Sequence, residues 1–311
     1  MTFAAMMAVA LAVDAALGWP AGLYRRIGHP VVWIGRLIVG TEARWNRGGA
    51  WRRRIAGAAC VTVILAAVVL PAAAVQAVLP SGTTGIMAGA ILAWPWIAAR
   101  SLHDHVAAVA LPLARGDLPG ARAAVAMIVG RDPARLDKAG VARAALESLA
   151  ENASDGVVAP LFWGAVAGLP GLVGYKAVNT LDSMIGHRDA RYEDFGKAAA
   201  RLDDLANLIP ARLTGLALAL ACRRPAAAFR AMLRDARHHR SPNAGWPEAA
   251  MAGALGVRLS GPRAYGHRIA DEPWLNAGKP DPAAREIHQG LALYRRAMIL
   301  CGAGLVVLAL I

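Results

Sequence analysis

Two short clusters in this chain combine carboxylates and amides at the same spacing. Glu151, Asn152 and Asp155 lie at i, i+1 and i+4, and Asp203, Asp204 and Asn207 repeat the pattern. On a helix, the first and last members of each set share a face one turn apart. Two such sets turned toward one cleft would suit Mg²⁺, a hard cation that takes one or two carboxylates and completes its shell with water and phosphate oxygens. Each set alone is equally readable as a solvated helix face with capping Asp or Asn. Asp182 adds a third carboxylate, following Asn179 and Thr180, either of which could cap a helix. Lys176, Arg191, Lys197, Arg201 and Arg212 are nearby cations of the kind that neutralise phosphate, arginine in bidentate fashion. Taken singly, each is an ordinary interfacial residue. His103 and His187 are candidates for proton transfer or for structural roles, and His238 and His239, beside Arg240, read as solvated or anion-contacting loop residues. No phosphate-binding glycine loop, zinc-binding HExxH or serine-nucleophile GxSxG is present.

The elements that must position these groups belong to an apolar protein. Of 311 residues 57% are hydrophobic, yet the formal charge is +13, and mean hydropathy is +0.40. The arginines gather between apolar runs instead of forming an aromatic-interleaved stripe, which argues for a membrane protein with basic cytoplasmic loops and against nucleic acid binding. Cys60, Cys222 and Cys301 are isolated in apolar surroundings, so core or lipid-facing positions are expected and no disulfide framework is implied. Asp14 and the lack of a basic leader argue against a cleaved signal peptide. The expected architecture is all-α and polytopic: one domain over residues 1–311, with apolar segments near 1–17, 55–79, 85–99, 157–178, 205–222 and 297–311. Pro71 is expected to kink the second. Residues 100–150 read as amphipathic cytoplasmic helices broken by Pro112, Pro119 and Pro133, and 275–289 as a polar loop. The segment 157–178 is interrupted by Gly168-Leu169-Pro170-Gly171, a strong turn signal. Two half-length helices folded into a re-entrant hairpin would bring both polar flanks to one side; a full span would separate them.

The blocks HPVVWIGRLI with Glu42, GRDPARLD, ESLAENASDGVVAPLFW, YKAVNTLDSMIG, YEDFGKAAARLDDLANLIPARLT and RDARHHRSPNAGWPEAAMAGALGV occur in that order. Together they resemble the CbiB/CobD membrane proteins of cobalamin biosynthesis, the adenosylcobinamide-phosphate synthases, over nearly the whole chain. Two positions depart from the family pattern: His187 stands where a Tyr is expected and Ala153 where Thr is common. The resemblance implies an ATP- and Mg²⁺-dependent amide ligation at a cytoplasmic face of the inner membrane. In it, aminopropanol or its O-phosphate joins a propionate of adenosylcobyric acid, through an acyl phosphate. On that reading Glu151, Asp155, Asp203 and Asp204 hold Mg²⁺–ATP, supported by Asn152, Asn179 and Asn207. Lys176 and Arg212 neutralise phosphate, and Asp182 is metal ligand or base. Arg240, Ser241 and Asn243 contact the corrinoid or the amine. Other membrane enzymes of the corrinoid pathway are implied as neighbours.

The bare chemistry leaves two other classes open. One is a membrane transferase acting on a diphosphate-linked lipid, which needs no ATP. The other is a corrinoid transporter or scaffold using its charges as a substrate path.

Overall fold

The structure is a computed structural model and describes residues 2–130, 132–265, 268–270 and 272–311. In chain order the helices are α1 (Phe3–Leu17), α2 (Ala21–Ile27), α3 (Pro30–Trp45), α4 (Ala50–Ala77), α5 (Gly82–Ala93), α6 (Ala99–Ala114), α7 (Leu118–Ala126), α8 (Lys138–Ala153), α9 (Ala159–Ile185), α10 (Lys197–Ala206), α11 (Leu208–Ala221), α12 (Pro225–Asp235), α13 (Gly245–Leu255) and α14 (Ala284–Leu310). A π turn, Ser154–Val158, follows α8. Four strands of two or three residues, β1 (Leu259–Ser260), β2 (Arg263–Tyr265), β3 (Arg268–Ala270) and β4 (Trp274–Leu275), pair antiparallel as β1–β4 and β2–β3. The all-α polytopic expectation holds: among the described residues four helices are long and apolar enough to cross a membrane, or up to six if each bent pair is one span.

The chain forms two compact units interleaved in sequence. Unit 1 comprises Met1–Ala98, Ala159–Asn207 and Ala303–Ile311; unit 2 comprises Ala99–Val158 and Leu208–Gly302. In unit 1, α4 is apolar on all sides beyond Arg54 but buries only Gly57, Cys60, Val61 and Ile64, a single stripe of 3–4 residue period. Val63, Leu70 and Val75 face outward, as expected of a helix surrounded by hydrocarbon. Against the stripe pack Ile34 and Ile38 of α3, Ala177, Leu181 and Ile185 of α9, Phe195 just before α10 and Ala199 within it. α4 continues through Pro71 without a break, so the kink expected there does not interrupt the helix.

The turn signal at 168–171 is real. Backbone dihedrals leave the helical region at Ala167 and Gly168, the glycine with φ 66°, a conformation that costs residues with a β-carbon. A β-carbon added at Gly171 would lie 2.3 Å from the Trp163 carbonyl oxygen, whereas eight residues of straight helix span about 12 Å. The two arms of α9, 159–167 and 169–185, therefore meet at a sharp bend. Gln76 of α4 closes the tip: its Oε1 accepts the Leu169 N–H at 2.7 Å, the first donor of the second arm, which has no helical partner of its own.

Unit 2 is built from α6–α8, α11–α13, most of α14 and the short strands. α12 and α13 pack on each other, α11 packs on both and on the π turn, and α13 also meets α8. Three expectations are corrected here. Pro112 lies within α6, and Pro119 opens α7 instead of breaking it, because the first helical turn has spare donors and tolerates proline. The polar stretch 284–289 is the start of α14, not a loop. Its Glu286 returns a capping bond to the Ala283 N–H at 2.9 Å, so the charges that suggested a loop are those of a helix N-terminus.

Candidate active site

In unit 1 the second arm of α9 and α10 carry the richest set of polar groups. Tyr175, Asn179 and Asp182 recur at i, i+4 and i+7 and so line one side of the arm. From α10, Asp203 is held at both oxygens: Asn207 Nδ2 donates to Oδ2 at 3.0 Å and Asn179 Nδ2 to Oδ1 at 3.5 Å. Asn207, 1% exposed, accepts the Tyr175 hydroxyl proton at 2.9 Å. The result is a relay Tyr175–Asn207–Asp203–Asn179 across two helices. Asp182 lies near enough to Asp203 and Asp204 for their negative charges to repel, and His187 is near enough to Asp182 to offset part of this. Asp182 and Asp204 add carboxylate oxygens beside this relay, hard donors of the kind Mg²⁺ takes one or two at a time. Among the described residues no three His, Cys, Asp or Glu side chains converge to hold a metal ion.

Close backbone contact holds α10 at this distance. A β-carbon on Gly196 would sit 1.6 Å from the Ile185 carbonyl oxygen, so only glycine lets α10 begin against the end of α9. The intervening loop is tied down from the basic N-terminal region. Glu42, 6% exposed, receives Arg191 Nε at 3.1 Å and Nη2 at 2.8 Å and Asn46 Nδ2 at 2.9 Å. Arg53 donates to the Ala190 and Arg191 carbonyls, and Arg54 pairs with Asp194 at 2.8 Å. Phe195, fully buried, anchors the loop in the core. On the adjoining face of the arm, with Asn179 at the shared edge, Lys176, Thr180, Ser183 and Met184 face α3 across a groove of about 710 Å³, within the range of small-molecule sites.

In unit 2, α8 and the π turn carry Glu151, Asn152 and Asp155. The expected shared face needs revision: α8 ends at Ala153, and the π turn begins at Ser154. A π turn holds more residues than an α turn, so the Glu151–Asp155 offset is not that of a straight helix. Asn152 donates to the Ser148 carbonyl at 2.9 Å, and Ser148 in turn to Ile128 O at 2.8 Å. Neighbouring Glu147 is buried and accepts the Ser260 N–H at 2.7 Å. Arg212 of α11, the helix packed on the π turn, lies 4.5 Å over the Trp246 ring and donates to the Leu208 carbonyl at 2.6 Å.

The 236–244 loop is more buried than its histidines suggested. His239 has a side chain only 4% exposed, with Nε2 at 3.6 Å from the 2%-exposed Glu248, and its Nδ1 accepts the Ser241 N–H at 3.1 Å. The solvated-loop reading is thereby corrected for His239; His238 is exposed. Ser241 Oγ accepts the Asn243 and Ala244 N–H groups at 3.2 Å, capping the entry to α13, and Asn243 is buried. Arg240 remains largely exposed, 3.6 Å from Glu272. Lys176, Asn179, Asp182, Asp203, Asp204 and Asn207 thus gather in unit 1, while Glu151, Asn152, Asp155, Arg212, Arg240, Ser241 and Asn243 belong to unit 2.

Sequence reasoning missed Tyr175, Glu248 and the Asp281 cluster. Asp281 receives Arg258 Nε at 3.0 Å and Nη2 at 2.6 Å as well as Arg143, and both guanidinium groups lie over the Trp274 ring, at 4.1 and 5.2 Å. Tyr175 was recoverable from its helical spacing to Asn179 and Asp182. The Asp281 cluster joins residues 138 positions apart, which local pattern does not reveal.

Comparison with known proteins gives a consistent result. Residues 7–294 match the family model described as CobD/Cbib protein. The chain is similar to a cobalamin biosynthesis protein CobD of Rhodobacter capsulatus, 66% identical over 298 residues that cover 96% of this chain and 95% of the relative. It is also similar to proteins of the same name from Brucella suis, 49% identical over 323 residues, and Sinorhizobium fredii, 47% identical over 315, each covering 98% of this chain and 96% of the relative. No solved structure matches. With a family match over nearly its whole length and relatives this similar across it, the chain belongs to the CobD/CbiB family.

Proposed function

We propose that this protein acts in cobalamin biosynthesis as an ATP-dependent acid–amine ligase of the cytoplasmic membrane, with its reacting groups on the cytoplasmic side. It joins aminopropanol or its O-phosphate to a propionate of adenosylcobyric acid, giving adenosylcobinamide or its phosphate. The observation that carries this reading is the Tyr175–Asn207–Asp203–Asn179 relay with Asp182 and Asp204 beside it, inside a chain of this family.

A carboxylate resists amines because an oxide-like group would have to leave. In the proposed sequence a corrinoid carboxylate oxygen attacks the terminal phosphorus of ATP and ADP departs, leaving an acyl phosphate. The amine nitrogen then attacks the carbonyl carbon, and inorganic phosphate leaves as the C–N bond forms. Asp203 and Asp204 would hold Mg²⁺ in unit 1, with Asn179 and Asn207 orienting Asp203 and Asp182 left as the base; Glu151 and Asp155 are proposed independently as metal ligands in unit 2, beside Asn152. When bound, the cation offsets phosphate charge. Lys176 in unit 1 and Arg212 in unit 2 are each proposed to neutralise phosphate oxygens, and Asp182 to take the ammonium proton. Arg240, Ser241 and Asn243 are proposed contacts for the corrinoid or the amine phosphate, Ser241 and Asn243 by shaping the loop that presents Arg240. Apolar helix surroundings keep water from the acyl phosphate.

The test is a single assay on protein in detergent: ADP release from ATP dependent on a corrinoid acid, with one corrinoid amide formed per ADP. A diphosphate-lipid transferase or a transporter yields neither product, and that result overturns the proposal.

A further inference from the structure

The groove between α3 and the second arm of α9 has a chemical character that the reaction outlined above does not specify. Its walls include Val31, Val32 and Val39 of α3 and Met184 of α9, and Arg36 and Lys176 supply two cationic groups from opposite helices. Arg36 forms no ion pair with any described residue. Thr180 donates its hydroxyl proton to the Lys176 carbonyl at 2.6 Å, and Ser183 donates to the Asn179 carbonyl at 2.8 Å. Both hydroxyls therefore present lone pairs to the groove and can only accept there. Asn179, whose amide holds Asp203, forms part of the same wall.

An occupant must match an apolar wall, two cations and a row of acceptors. We propose that this groove seats the corrinoid acid: its apolar ring edge lies on the valines and Met184, its peripheral carboxamide N–H groups donate to Thr180 and Ser183, and its one carboxylate is held by Arg36 and Lys176. The inference rests on the proposed ligase reading and deepens it. A phospholipid phosphodiester would also satisfy the cations but offers no row of amide donors. A nucleoside triphosphate carries several negative charges, more than two cations beside an apolar wall would match. With the carboxylate at Lys176 and Arg36, Asn179 links the reacting acid to the Asp203 cluster through one side chain.

The experiment measures equilibrium binding, without nucleotide, of adenosylcobyric acid and of the corrinoid in which that carboxylate is replaced by a primary amide. The protein is held in zwitterionic nanodiscs. Arg36→Ala is expected to weaken binding of the acid at least tenfold and leave that of the amide within twofold, with Arg36→Lys restoring most of the loss. Val39→Trp, at an exposed position, is expected to weaken both ligands by filling the groove. Wild-type affinity for the acid in both Arg36→Ala and Val39→Trp, alongside normal wild-type turnover, overturns the groove assignment and leaves the ligase reading standing. Loss of co-purifying anionic phospholipid with corrinoid affinity unchanged also overturns it, marking the groove as a lipid seat. If the wild type neither binds nor converts the acid, the ligase reading itself fails and takes this assignment with it.

Discussion

At the scale of single residues, Asp203 is the centre of the candidate site because two buried or half-buried amides commit themselves to it. Asp203→Asn keeps the volume but removes the charge and turns an acceptor into a donor facing two donors. Amide formation should fall by at least 100-fold, with elution in detergent unchanged; wild-type turnover at saturating Mg²⁺ would remove Asp203 from the catalytic list. Tyr175→Phe should act more gently. It strips the donor from buried Asn207, a loss on the order of 1–3 kcal/mol, and should lower thermal stability together with kcat while leaving nucleotide KM unchanged.

Asp281 provides a pH test away from the membrane helices. Arg258's hydrogen bonds hold its carboxyl below the usual carboxylate range, outweighing a desolvation cost, with Arg143 adding to the effect. A depressed folded-state value means a contribution present above the unfolded pKa of about 4 and lost as pH falls through the folded one. Asp281→Asn should therefore lower the melting temperature at pH 7, and the gap to wild type should narrow steadily below about pH 4. A gap that stays constant to pH 3 would contradict this account.

At the scale of elements, the bend in α9 and the abutment of α10 decide where the polar groups can go. Gly196→Ala would drive a carbon into the Ile185 carbonyl, backbone against backbone with no side chain free to yield. Its expected cost, on the order of 1–3 kcal/mol or more by analogy with other forced overpacking, should appear as a lower melting temperature and a parallel loss of activity. The tip of the α9 bend was legible because Gly168 and Pro170 are local signals with local causes. The apolar helices were legible as well, since α4 needs only its composition to declare itself. The π turn was not, because nothing in Ser154-Asp155-Gly156-Val157-Val158 distinguishes it from an α turn before α6 and α11 pack on it. Nor was the start of α14, whose Arg285, Glu286 and His288 read as loop until Glu286 is seen to cap. His239 was misread because its burial depends on Glu248, nine residues ahead on the face of another helix. Of the site, the carboxylates and amides were named from sequence, but their wiring through Tyr175 was not.

At the scale of the whole molecule, the two interleaved units divide the proposed residues into two sets whose contributions can be separated by experiment. Topology can be checked directly. α4 has 28 residues, about 42 Å of helix, enough to cross a hydrocarbon core of about 30 Å. The uncharged connection at Ser81 and the arginine-rich one at Gly48 should therefore lie on opposite sides. With Cys60, Cys222 and Cys301 replaced by Ala, a cysteine at position 81 should react with a membrane-impermeant maleimide in cells whose outer barrier is opened. One at position 48 should react only after the inner membrane is breached. Labelling of both from the same side would refute this orientation.

The bond from Gln76 to the Leu169 amide has a consequence for biosynthesis. The acceptor precedes the donor by 93 residues, so α4 has left the ribosome well before the bent helix emerges. The bend thus meets a waiting carboxamide, and its exposed N–H need not linger in hydrocarbon, where no water would satisfy it. Reordering the chain so that 138–185 is made first would reverse that sequence of events. Such a permuted protein should insert poorly even with every final contact available, and the yield of membrane-inserted chain would show whether the order of synthesis is itself part of how this fold is reached.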